Sequence, residues 1–183
     1  AKTVDLAEEQ LSYDYLIAGL GNRLAAESTP GMMEGWEETD SVFPFYYFEA
    51  AMDMREGLEA FDGGTFVVSV PDTPFKCGGA PLKMTMLAED YFQRQGIRDD
   101  VDLVMTKPGD AVFGVSPYRE KLEEIWAERD IEFRGNFTVE EIDHEAQEIH
   151  SVEGETQSYD FYAPVPPQLG QPALTENSPL TEG

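Results

Sequence analysis

The run Thr65-Phe-Val-Val-Ser-Val70 constrains this chain more than any other segment. It is short, rich in β-branched and aromatic side chains, and does not alternate apolar with polar. A strand of that kind must be covered on both faces, the condition of an interior strand in a parallel sheet. A Pro- and Gly-bearing loop follows, and then residues 81–95 read as a helix. Pro81 suits the first helical position and Gly96 the position just past the end. Leu82, Met86 and Tyr91 are expected to face the sheet. Val101-Asp-Leu-Val-Met105 reads as the next strand. Residues 117–129 read as a second helix, with Leu122, Ile125 and Trp126 on its apolar side, and Ile131-Glu-Phe133 opens a third strand. Strand, helix, strand, helix, strand makes a right-handed βαβαβ unit.

The rest of the sequence is arranged around that unit. Between residues 136 and 162 lie Phe-Thr-Val-Glu-Glu-Ile, Glu-Ile-His-Ser-Val and Tyr-Asp-Phe-Tyr, short alternating stretches read as a β-meander after the third strand. The expected fold class is therefore α/β: a Rossmann-like βαβαβ parallel sheet with an inserted antiparallel β-meander. Upstream, Ser12-Tyr-Asp-Tyr-Leu-Ile-Ala-Gly-Leu-Gly21 reads as a short buried strand running into a glycine turn. Residues 22–44 read as irregular, and residues 45–61 as a helix with Phe48, Ala51, Met52 and Leu58 on one face. The expected organisation is residues 1–57 as a linking segment, 58–165 as the Rossmann-like domain, and 166–183 as an extended, Pro-rich tail.

Charge bears on partners. With 37 acidic residues against 12 basic ones, the net charge is −25, and the acids are spread along the chain. Such a surface repels nucleic-acid phosphates and anionic headgroups, so no nucleic-acid partner is expected. The balance points to adaptation to concentrated salt, where repulsion is screened within about 3 Å. No apolar run is long enough to span a bilayer, and Ala1-Lys-Thr-Val-Asp-Leu-Ala-Glu-Glu9 has no apolar core of a secretion signal, so a soluble chain is expected. His144 and His150 fall in the meander, and no metal site is expected there.

The loop between the first strand and its helix carries the chemistry. A dinucleotide-binding unit needs G-x-G-x-x-G at this point, so that backbone can approach a pyrophosphate. Here the loop reads Pro71-Asp-Thr-Pro-Phe-Lys-Cys-Gly-Gly-Ala-Pro81, with only Gly78 and Gly79 remaining. The acidic residue expected at the end of the second strand is replaced by Met105-Thr106-Lys107-Pro108. Two independent departures argue against NAD as a ligand. In place of the phosphate loop stands Cys77, the chain's single cysteine, with Lys76 beside it and Lys83 in the first helical turn. A helix N-terminus and two ammonium groups favour a thiolate and are expected to lower the thiol from about 8.5 toward about 7 or below. The competing interpretation is a small buried filler.

These residues resemble a known family. The stretch from Thr65 to Lys83 is similar to the segment around the first redox cysteine of sulfide:quinone oxidoreductases. The similarity continues through Ala111-Val-Phe-Gly-Val115, Tyr118, residues 122–128 and Val165-Pro-Pro167. Tyr13-Asp-Tyr-Leu-Ile-Ala-Gly-Leu-Gly-Asn-Arg-Leu24 resembles the strand and turn that pass the family's flavin. The resemblance implies an FAD enzyme that oxidises sulfide through a cysteine pair and passes electrons to a membrane quinone. It assigns Cys77 as the cysteine nearest the flavin, and Gly19, Leu20 and Gly21 as the turn touching FAD. It also implies a second redox cysteine, which this chain lacks, and an N-terminal FAD fingerprint that the first 11 residues are too short to hold. The chain is therefore expected to be the central part of such an enzyme, inactive and without FAD on its own. Its parent is expected to be cytoplasmic and peripherally membrane-associated. The Tyr13 strand, lacking its neighbours, invites pairing into a homodimer. The alternatives are a piece of a sister flavoprotein, such as a flavocytochrome-type sulfide dehydrogenase or an alternative NADH dehydrogenase, and a single-thiol redox module.

Overall fold

The computed structural model describes residues 2–176. The described residues form two compact units, one of residues 24–169 and one made of residues 2–23 with 170–176. In the smaller unit, β1 (Thr3–Asp5) and β2 (Gln10–Ser12) form an antiparallel hairpin with Val4 opposite Leu11. The expected buried strand does not form: residues 13–21 take no strand pairing, and Tyr15 and Ile17 are each 93% exposed. An apolar run becomes a strand only where ladder partners satisfy its backbone, and the described residues supply one backbone bond, from the Tyr13 N–H to the Lys2 carbonyl, and no ladder beyond it.

The larger unit begins within β3 (Asn22–Leu24) and a 3₁₀ turn at Ala26–Ser28. The region expected to be irregular then forms a helix, α1 (Met32–Glu38). Gly31 starts it at φ 80, a backbone state that glycine adopts without cost. A Cβ at Gly31 would collide with the Ile142 carbonyl oxygen, so the glycine also permits close docking on the meander. Next comes α2 (Phe48–Ala60), whose inward face differs from the expected one. Ala50, Met54 and Leu58 turn inward, whereas Phe48 and Met52 are exposed.

The βαβαβ unit stands as expected: β4 (Gly64–Ser69), α3 (Ala80–Gln95), β5 (Val101–Thr106), α4 (Ser116–Glu128) and β6 (Ile131–Arg134). Gly96, at φ 75, ends α3 with its N–H on the Gln93 and Phe92 carbonyls. On α3, Phe92 is fully buried and Tyr91 only partly. The meander follows as β7 (Val139–Asp143), β8 (Glu148–Ser151) and β9 (Thr156–Ser158), all antiparallel.

One strand is reassigned. Tyr159–Tyr162 was expected inside the meander, yet β10 (Phe161–Pro164) joins the parallel sheet beside β4, giving the order β10-β4-β5-β6. Its four residues are all buried although it ends the sheet, because both its faces are packed and the Ser41–Phe43 backbone bonds to Tyr162 along its outer edge. The register brings Phe161, Phe66, Leu103 and Ile131 into one row. Phe66 and Phe161 stack at 4.6 Å, and Phe61 and Phe92 close around them. The opposite face of the sheet packs Val67, Val104 and Tyr162 against Met32, Phe137, Ile142, Ile149 and Tyr159.

The tail is not uniformly extended. It carries β11 (Gln168–Gly170) and one helical turn, α5 (Pro172–Thr175); the part of the expected tail from 177 to 183 lies outside the described residues.

Candidate functional site

The Cys77 loop spans residues 70–79, from the end of β4 to the start of α3. Its outer edges are fixed by backbone bonds. The Val70 N–H donates to the Thr106 carbonyl at 3.0 Å, and the Val139 N–H to the Pro71 carbonyl at 2.9 Å. At the tip, Cys77 is free and exposed, just before the helix. Its backbone has φ 64, the left-handed region that side chains other than Gly, Asn and Asp seldom enter. Gly78 and Gly79 beside it do not take that state, so the loop's strain falls on the cysteine.

The helix mouth is used differently from the expected arrangement. The Ala80 N–H donates to the carbonyl of Cys77 itself at 2.8 Å, and Pro81 has no N–H to offer. No side chain caps the helix. Lys76 and Lys83 are both exposed on the same loop and first turn.

Two residues that local sequence patterns did not single out hold the loop from the sides. The Tyr46 hydroxyl donates to the Lys76 carbonyl at 3.1 Å, and the Lys76 N–H donates to Gln168 Oε1 at 2.6 Å. Burial, and secondarily the charge of a Cys77 thiolate, push the Tyr46 phenol up to about 12. These partners lie 30 and 92 residues from Lys76, and no local pattern could have named them. Tyr46 is one of several rings in Phe43-Pro-Phe-Tyr-Tyr-Phe48, and Gln168 directly follows Val165-Pro-Pro167.

Two apolar hollows share Phe113 beside the loop. One, of about 170 Å³, is lined by Phe75, Gly78, Pro81, Met105, Val112 and Phe113, with Lys107 at its edge. Burial lowers the Lys107 ammonium from its ordinary value, partly offset by Asp110, and its Nζ donates to the Ala111 carbonyl. The other, about 480 Å³ and open, runs between α3 and α4 along Leu82, Phe113, Tyr118, Leu122 and Ile125.

The remaining expected site lies in the smaller unit. Gly19, Leu20 and Gly21 form an exposed stretch without regular structure, with Gly21 at φ 71 and open space where a Cβ would stand at Gly19 and Gly21. Such backbone can be approached by the flat face of a ligand. Among the described residues, this stretch is not followed by a helix that would complete a strand–glycine loop–helix cradle for a pyrophosphate. His144 Nε2 faces Glu38 at 3.5 Å and His150 Nδ1 faces the Thr156 hydroxyl at 3.1 Å. Among the described residues there is no group of three or more His, Cys, Asp and Glu placed to hold a metal.

A parallel βαβαβ sheet with an antiparallel insertion, whose first crossover loop bears a thiol where a phosphate loop would stand, defines the class: a Rossmann-like α/β fold without the dinucleotide fingerprint. The solved structure of the sulfide:quinone oxidoreductase from Aquifex aeolicus superposes with a TM-score of 0.65 at 23% identity, over 91% of this chain and 39% of that one. In sequence, the mitochondrial sulfide:quinone oxidoreductase of Mus musculus is 30% identical over 180 residues, 95% of this chain. That of Dictyostelium discoideum is 30% identical over 178 residues. The chain belongs to the sulfide:quinone oxidoreductase family. It spans 40% and 39% of the lengths of those two relatives. No protein-family profile matches it.

Proposed function

We propose that this chain is the thiol-bearing part of an FAD-dependent sulfide:quinone oxidoreductase, with Cys77 as one member of a sulfur-carrying cysteine pair. The observation that supports this best is the exposed Cys77 in a left-handed backbone, at the strand-to-helix junction of a chain so related to these enzymes. Strained residues concentrate at functional positions.

In the whole enzyme the second cysteine comes from outside this chain, which has one. Sulfide, as HS⁻, attacks the Cys77 sulfur of the disulfide that joins it to this second cysteine. The new S–S bond leaves a persulfide on Cys77, and the partner cysteine departs as thiolate. Lys76 and Lys83 favour the anionic forms by charge. A nucleophilic sulfur acceptor would take the outer persulfide sulfur and leave Cys77 and its partner both as thiolates; FAD, held mainly by other segments and touched by Gly19, Leu20 and Gly21, would supply the two-electron chemistry that returns the pair to the disulfide, with quinone as the final oxidant. Without a second cysteine and a pyrophosphate cradle, the isolated chain turns nothing over and does not retain FAD. The altered loop and Lys107 likewise disfavour NAD. No helix among the described residues is long and apolar enough to cross a membrane, and membrane contact in the enzyme is peripheral.

Two measurements test this reading. In the purified chain, iodoacetamide should label Cys77 faster at neutral pH than it labels free cysteine; labelling no faster would remove the activated thiol. In the enzyme containing this segment, sulfide-dependent quinone reduction should disappear in Cys77→Ser, and retained turnover would refute the assignment.

A further inference from the structure

We infer that Tyr46 and Gln168 are positioning residues for the thiol, gripping the two peptide groups that flank Lys76 and so fixing the backbone of Cys77; this rests on the reading of Cys77 as the reacting group. The Lys76 carbonyl belongs to the peptide that leads directly into Cys77, and it accepts from the Tyr46 hydroxyl at 3.1 Å. The Lys76 N–H belongs to the preceding peptide, and it donates to Gln168 Oε1 at 2.6 Å. Consecutive peptide planes are therefore held by side chains from two distant segments, one just before α2 and one at the start of β11.

The next residue needs such a hold. Cys77 sits at φ 64, where its Cβ crowds the backbone and where it lacks the local hydrogen bonding that eases Asn or Asp into that region. A conformation of this kind persists only when its surroundings over-determine it. The two flanking bonds do so from one side, and the bond from the Ala80 N–H to the Cys77 carbonyl does so from the other. The direction in which the thiol points, and the neighbours its charge meets, follow from that backbone. The influence of a Cys77 thiolate on the Tyr46 phenol is consistent with their proximity. Tyr46 also packs edge-on to Phe45, so removal of its hydroxyl alone leaves the ring in place.

Cys77 is the sole cysteine, so iodoacetamide uptake by the intact chain reports on it alone. The experiment compares labelling rates at neutral pH for the unmodified chain, Tyr46→Phe and Gln168→Met. Each variant should slow labelling by about 3–10-fold, the range set by one neutral hydrogen bond, while keeping the melting transition of a folded chain. Variant rates equal to the unmodified one overturn the clamp. Labelling of the unmodified chain faster than that of free cysteine, with unaffected variants, removes the clamp alone. Labelling no faster than that of free cysteine, with slowed variants, keeps the clamp and removes the activated thiol. Should either variant fail to fold, hydrogen exchange of the Lys76 N–H in the unmodified chain decides instead. Protection supports the grip, and exchange at the rate of an unstructured peptide refutes it.

Discussion

Thr65–Val70 and Tyr13–Leu20 carry much the same signal in sequence, a compact apolar run beside a glycine-bearing turn, and meet opposite fates. The first becomes an interior strand, hydrogen-bonded on both sides by β5 and β10, with Phe66 and Val67 wholly buried. The second, beyond the bonds that Tyr13 and Asp14 make with Lys2, takes no strand pairing among the described residues and leaves Tyr15 and Ile17 in solvent. The difference teaches that apolar composition proposes a strand and ladder partners decide it. The first run finds its partners later in the same chain, which α3 returns to the sheet as β5 and the meander returns as β10. Partners for the second would have to come from outside the described residues. We propose that they are other segments of the enzyme, or a second copy when the chain is alone.

The contrast can be broken most sharply at the buried run. Phe66→Ala should cost about 3–5 kcal/mol in urea unfolding, because the ring is surrounded by Phe61, Phe92 and Phe161. A loss below 1 kcal/mol would mean that the sheet is not the core.

Alkali should act next on the same packed unit. The Tyr46 phenol is raised from 10.0 to about 12, and burial pushes Tyr159 and Tyr162 higher still. Raised values mean that the folded state keeps these protons longer than the unfolded chain does. The stability they supply is therefore complete below about pH 10 and is lost as pH climbs through about 12 and beyond. Tryptophan fluorescence should report unfolding in that interval, and a flat response would contradict the burial of these hydroxyls.

Salt should raise the melting temperature from dilute buffer to molar concentration, since −25 of net charge is then screened within about 3 Å. An unchanged melting point would discard the proposed adaptation to brine. At the loop, Cys77→Gly should stabilise the chain by about 1 kcal/mol, or about 2–4 °C, by removing the left-handed strain. A decrease would show that the cysteine side chain contributes packing there.

The smallest effect belongs to the exposed run. Ile17→Asp should change stability by no more than about 0.5 kcal/mol, while reducing any self-association seen by sedimentation. A stability loss like that of Phe66→Ala would erase the distinction between the two runs.

Much of this was legible in the residues. The βαβαβ unit followed from one unbroken apolar run, from Pro81 and Gly96 as helix punctuation, and from the rhythm of the later segments. The position of Cys77 before a helix was readable for the same local reasons. The helix at Met32–Glu38 was not, because Pro30, Gly31 and Gly35 read as breakers, whereas here glycine starts the helix and lets it dock on Ile142. The inward face of α2 was misjudged because Phe48 and Met52 are apolar yet face solvent.

The sequence by itself determined the class of sheet and the place of the thiol, because both depend on residues within a few positions of one another. Only the tertiary structure decided that Phe161–Pro164 joins the parallel sheet, and that Tyr46 and Gln168 reach the Cys77 loop. Those facts rest on contacts between residues tens of positions apart. Hydrophobic attraction is non-directional, so the sequence could show that these groups must be buried or bonded but not against whom.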